Sequence, residues 1–168
     1  TVNVRTKRTW TSTEKNALSI LRTVADLHGG DLVFDCPNRL VHLLTVYGTD
    51  SGALFAYKKN MKSIKRVVDT RSLVTRLYAI GSDGLTFADI NGGKAYVEDY
   101  TYSSDIRIST LDCSSFTNPY QMKEYTEMRL AQYAKPNISY VLNAMDLSVL
   151  TGYEHEAWSL GDYVHVED

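Results

Sequence analysis

The chain has 168 residues, 43% of them hydrophobic, which is ample for a core and sized for one domain or two small ones. Its formal charge of −2 offers no excess of positive charge to a nucleic-acid polyanion. No apolar run approaches the roughly 20 residues that cross a bilayer, so neither nucleic acid nor membrane insertion is expected.

The sequence begins at Thr1 rather than Met, without a signal peptide, and runs straight into the strand-like TVNVRT. A segment of a longer polypeptide is the expectation. Thr11 and Glu14 then have capping-box spacing, in which each side chain satisfies the other's free backbone N–H. Ala17, Leu18, Leu21, Val24, Ala25 and His28 recur at helical spacing, and Gly29-Gly30 supplies the stop. Leu32 to Asp35 and Leu40 to Tyr47 read as two strands about the turn CPNR. Residues 11–57 thus form a small helix–strand–strand module.

A basic stretch follows, with seven Lys or Arg between Lys58 and Arg76 and Asp69 as its only acid. Ile64, Arg66 and Val68 alternate with Lys65 and Val67, which predicts a strand. Leu73 to Ile80 is a stronger one, with Val74, Tyr78 and Ile80 on one face and Leu73, Leu77 and Ala79 on the other. Apolar groups on both faces predict a central or barrel strand. The turns GSDG and NGG hold residues that tolerate positive φ, and they divide Leu73–Ile80, Leu85–Ile90 and Lys94–Tyr102 into a three-strand meander.

Asn118-Pro119 is a helix cap followed by the residue suited to a first turn. The helix runs to about Ala134 with Met122, Tyr125, Met128 and Ala131 along one side, and Lys135-Pro136 ends it. Ile138, Tyr140, Leu142 and Ala144 then share one strand face. A Gly-Asp turn near the C-terminus feeds the alternating strand Tyr163 to Val166.

Candidate chemistry is thin. The glycines of GSDGLTFADINGG lie between strands, whereas a phosphate cradle needs a helix N-terminus behind them. A calcium loop starting at Asp89 would need an oxygen ligand, Gly and Glu where the chain has Gly93, Lys94 and Tyr100. Glu154, His155 and Glu156 with His165 could bind a divalent metal only in one hairpin register, and HEAWS puts Ser159 where an HExxH helix has its second His. Cys36 and Cys113 stand far apart, outside any CxxC spacing, and read as free thiols. Cys113 with one of His28, His42, His155 or His165 carries no nucleophile signature. No residue is therefore assigned as catalytic, cofactor-binding or metal-ligating, and no cofactor is expected.

Two compositional features point to contacts instead. Twelve tyrosines against four phenylalanines suit half-exposed sheets and contact surfaces, because tyrosine buries a ring and keeps its hydroxyl wet. A carbohydrate-binding sheet would need several of Tyr96, Tyr100, Tyr102 and Tyr140 in one exposed patch. From Asp146 onward there are six acids and no Lys or Arg, the mirror image of the basic stretch. Such segments pair with each other or with a neighbouring copy more readily than with a polyanion.

VVDTRSLVTRLYAIGSDGLTFADINGGKAYVEDY, AKPNISYVLNAMDLS and HEAWSLGDYVHVED follow one another across residues 58–168. In that order they resemble the prophage endopeptidase tail (tail-associated lysin) family of phage tail-tip proteins. The resemblance implies an α+β fold like the phage baseplate hub, with barrel-like antiparallel β structure interleaved with small helix–strand layers. The barrel-like module would be 58–116 with 151–168, and a helix–strand module would be 117–150. It implies a structural hub segment that mediates tail assembly and host-surface attachment as a homotrimer, joined to adjoining tail proteins. The site would be the virion tail tip, assembled in the bacterial cytoplasm. The alternative is a cell-wall-degrading endopeptidase or a carbohydrate-binding part of the same tail protein; in this family hydrolase activity is expected in a region beyond residue 168.

Overall fold

The computed structural model describes residues 6–9 and 16–167. The opening strand-like residues through Arg5 and the Thr11–Glu14 capping box lie outside the described residues. The described elements, in chain order, are α1 (Ala17–His28), β1 (Asp31–Asp35), β2 (Leu40–Leu44), β3 (Asp50–Ala56), β4 (Met61–Asp69), β5 (Arg76–Gly81), β6 (Tyr96–Glu98), β7 (Ile108–Cys113), α2 (Pro119–Tyr133), β8 (Asn137–Ala144) and β9 (Tyr163–Glu167). This is a mixed α/β chain, and its strands form three two-stranded sheets and one three-stranded sheet rather than a closed barrel. Two of the pairings, β3 with β9 and β5 with β7, are parallel, so the expected antiparallel barrel is corrected on both counts.

The chain divides into two compact units: residues 1–45 with 69–137, and residues 46–68 with 138–168. In the first, Asn16 starts α1 by accepting the Leu18 N–H on its side chain, and Gly29 ends it in the left-handed region at φ 68°. β1 and β2 form the antiparallel hairpin read from the sequence, Asp31 opposite Leu44 and Asp35 opposite Leu40. Asn118 caps α2 by accepting the N–H groups of Tyr120 and Gln121, with Pro119 in the first turn.

β5 lies between β6 and β7, which makes it the central strand its two-faced apolar pattern implies. Leu77 and Ala79 are fully buried, whereas Ile80 on the other face is half exposed. The core joins Leu27 of α1, Ala79 of β5, Cys113 of β7, and Met122 and Tyr125 of α2 around Phe87 and Phe116. Thr75 is buried and satisfied twice: its hydroxyl donates to the Asp105 carbonyl (2.7 Å) and accepts from the Arg107 N–H (2.8 Å).

The meander does not form, because Leu85–Ile90 is not a strand. Asp83 and Gly84 take positive φ (53° and 77°), and the chain runs through two 3₁₀ turns, Ser82–Gly84 and Ala88–Ile90. Phe87 is completely buried, and Leu85 and Ile90 pack against the same core. A loop that plugs its apolar side chains into a core can show strand-like spacing without any ladder. The third strand of the sheet is β7 instead, aligned with β5 from Arg76 opposite Ile108 to Gly81 opposite Cys113.

The second unit holds β3 paired with β9 and β4 paired with β8. β3 was not read from the sequence. Its Gly52 interrupts the apolar alternation, with φ 73° and its N–H donating to the Asp50 carboxylate. The packing also divides the expected 117–150 segment differently, since α2 belongs to the first unit and β8 to the second from Ile138 onward.

Candidate functional site

The second unit has a small core. Its buried apolar side chains are Ala53, Phe55 and Met61, joined by the polar Asn60 and Glu156. Asn60 ties β3 to the turn that follows it, accepting the Ala56 N–H and donating to the Leu54 carbonyl. The Glu156 carboxylate accepts the Leu54 N–H (3.0 Å) and pairs with the Lys59 ammonium. These bonds hold the Glu156 carboxyl below the usual glutamate range, the Lys59 contact being the larger cause.

Few apolar groups are enclosed, and many are not. A trough of about 850 Å³ is lined by Ile64, Arg66, Tyr140, Leu142, Val164 and Val166 of β4, β8 and β9. A second cleft of about 410 Å³ shares Leu142 and Val164 with it and continues to Phe55, Trp158 and Leu160. Trp158 meets Phe55 edge-on with ring centroids 6.2 Å apart. Leu160 projects into solvent with 89% of its surface exposed. Asp146 and Asp162 also line this second cleft, and Arg66 lines the trough. Neither Trp158 nor Leu160 was singled out from the sequence; the signal available was their flank, an apolar pair ahead of the Gly161-Asp162 turn.

The metal candidates are otherwise engaged. Glu154, His155 and Glu156 form a 3₁₀ turn in which Glu154 accepts the Gly152 N–H and Glu156 faces inward. His165 lies on β9 opposite Leu54 of β3 and contacts the Asp50 carboxylate at 3.1 Å. Among the described residues no three His, Cys, Asp or Glu side chains gather as a metal site. Nor does any described helix have the length and apolarity to cross a membrane.

Cys113 is buried in the first unit's core, and burial pushes its thiol up to about 11. A thiol that stays protonated at neutral pH is not a nucleophile in place. Cys36 is exposed in the β1–β2 turn.

The two charged segments have distinct fates. In the basic stretch, Arg71 holds the Asp69 carboxyl down at about 2, and Arg76 binds Glu98. Lys62, Lys65 and Arg66 of β4 have no ion-pair partner among the described residues. In the acidic segment, Asp146 caps the Ser148 N–H, and Asp162 accepts the Thr49 and Ser159 N–H groups. Among the described residues of this segment, only Glu156 pairs with a cation of the basic stretch, Lys59.

Tyr78, Tyr96 and Tyr100 group around a polar cluster in the first unit. The Arg76 guanidinium stacks 4.6 Å from the Tyr96 ring centre, Tyr78 packs 5.0 Å from the same ring, and Tyr100 donates its hydroxyl to Glu98 (2.8 Å). Beside it, Asn91, Lys94, Glu98, Asp99, Glu127 and Leu130 line a cleft of about 430 Å³. Tyr96 is thus covered by Arg76, Lys94 and Tyr78 rather than offered flat to a sugar ring. Tyr140 belongs to the other unit.

The fold is similar to that of a prophage tail protein of known structure. A 43 kDa tail protein of prophage MuSo2 from Shewanella oneidensis superposes with a TM-score of 0.63 at 14% identity, covering 94% of this chain and 45% of that one. Prophage tail protein gp18 of Listeria monocytogenes EGD-e is matched with a TM-score of 0.47 at 20% identity, over 74% of this chain and 38% of that one. The chain therefore spans less than half the length of these solved tail proteins. The family model described as prophage endopeptidase tail matches residues 49–168, and one described as prophage endopeptidase tail domain matches residues 1–43. The chain belongs to the prophage endopeptidase tail family. No curated protein matches its sequence.

Proposed function

We propose that this chain is a structural segment of a virion tail, within the baseplate hub at the tail tip, where three copies surround the axis and bind adjoining tail proteins. The observation that carries this reading is the family membership over residues 49–168, on a fold whose second unit leaves most of its large apolar side chains exposed. A free monomer gains nothing from such a surface, whereas an assembly buries it. Its place of assembly would be the bacterial cytoplasm and its final site the tail tip, where it contributes to host-surface attachment.

Deletion of the coding segment from an inducible lysogen tests the role. Tailless or uninfective particles are expected, with the protein located at the tip by antibody labelling in electron micrographs of wild-type particles. Normal infective particles from the deletion strain would overturn it. The ring is tested separately by light scattering of the longest available form of the protein. A trimer in low salt, loosened by charge reversal at Lys62, Lys65 and Arg66, is the expected outcome.

A further inference from the structure

We propose that residues 6–9 form a strap, fastened to the end of α1 and the first turns of α2, that opens in mild acid with His28 as its sensor. The device goes beyond the tail role and does not depend on it.

Residues 6–9 have no regular secondary structure, and side-chain contacts within the first unit hold them. The Thr6 hydroxyl bonds His28 Nδ1 in the last turn of α1. The Arg8 guanidinium donates to the Gln121 carbonyl (3.2 Å) and to the Glu124 carboxylate (3.1 Å), and it lies 5.4 Å from the centre of the Tyr125 ring. The Thr9 N–H donates to the Gln121 side-chain oxygen (2.8 Å). Only 1% of the Arg8 side chain is exposed, yet its Nε–H is buried without a hydrogen-bond partner. Opening the strap hydrates that donor and the charge it belongs to, so the closed state is held by a narrow margin.

His28 is placed to tip that balance. Burial, and then the nearby Arg8 guanidinium, hold its imidazole below the ordinary histidine value, while Glu124 from α2 acts the other way. Asp26, on the same helix, is engaged by Arg129 and the Tyr125 hydroxyl. The C-terminal end of α1 favours a charged ring whether the strap is open or closed, so its effect cancels. Opening exposes the ring and takes Arg8 away from it, which returns His28 to its ordinary value. The open strap therefore binds the proton more tightly. Closure is fully favoured above the ordinary histidine value and weakens as pH falls from there through the lowered one.

The test is a pH titration of the chain followed by NMR, reading the backbone amides of Thr6 to Thr9 together with the His28 ring. Between about pH 7.5 and about pH 5.5 the strap amides should move toward random-coil positions, with the open-to-closed ratio rising about threefold or more. The midpoint should coincide with the titration of the His28 ring. Amides of Thr126 and Leu130 in α2 should stay in place, which separates opening of the strap from unfolding of the unit. His28→Gln, which stays neutral, should keep the strap closed across the range. His28→Arg should open it already at neutral pH, and Arg8→Gln should open it at every pH. Strap amides that do not move with pH overturn the inference, as does the same movement in His28→Gln. So does movement of the α2 amides in step with those of the strap.

Discussion

At the level of single residues, the glycines fall into two physical kinds. Gly84 and Gly92 have φ of 77° and 61°, with no heavy atom within 4 Å of where a Cβ would stand. Substitution there meets backbone strain alone, and Gly92→Ala should lower stability by about 1 kcal/mol in a denaturant melt. Gly48 is different. A Cβ on it would lie 2.0 Å from the Gly161 carbonyl oxygen, where two backbones of the second unit touch. Gly48→Ala combines strain at φ 87° with a clash that no side chain can relieve, and should lose at least about 2 kcal/mol. Equal losses at the two positions would contradict the close approach. The cysteines separate as cleanly. At neutral pH a thiol reagent should titrate Cys36 rapidly and leave Cys113 unmodified until the protein is denatured.

At the level of elements, α2 and β5 organise the first unit. The Asn118 carboxamide accepts two of the free N–H groups at the start of α2, so Asn118→Ala should destabilise by about 1 kcal/mol. Leu77 is 1% exposed on the central strand, with Leu130 and Ala134 of the α2 end packed in its cluster. Leu77→Ala removes contacts from strand and helix together, and a loss of about 2–5 kcal/mol is expected in chemical denaturation. The same truncation at Ile80, on the exposed face of the strand, should fall well short of that. Similar losses at both sites would mean that β5 is buried on both faces.

At the level of the molecule, the two units differ in how much they enclose, and hydrogen exchange of dilute protein should register it. Amides of β5, β7 and α2 should be the slowest, and those of β4, β8 and β9 should exchange first. pH acts on the second unit through Glu156. Its folded-state pKa lies below the unfolded one, so the Lys59 and Leu54 contacts contribute fully above the ordinary glutamate range. That contribution is lost as pH falls through the lowered folded value. The thermal midpoint of the second unit should drop in this acid window, and Glu156→Gln should lower the neutral-pH midpoint while flattening the drop. An unchanged pH profile in the variant would remove Glu156 as the cause.

The sequence by itself determined what short-range chemistry determines. Asn118-Pro119 and Gly29 set helix ends, CPNR set the β1–β2 hairpin, and the two-faced apolar pattern of 73–80 marked the central strand. The order of weak motifs over 58–168 was enough to point to the family that the match over 49–168 shows. Tertiary structure alone decided the partners of the strands. β9 lies parallel to β3, which precedes it by more than a hundred residues, and no local pattern encodes a pairing that distant. It also decided that Leu85, Phe87 and Ile90 serve a core from a loop, since alternation specifies which side chains are buried but not whether a neighbouring backbone is there to pair. The trough was out of reach for the same reason. Ile64, Leu142 and Val164 lie on three strands far apart in the chain, and only folding sets them side by side with too few neighbours to cover them.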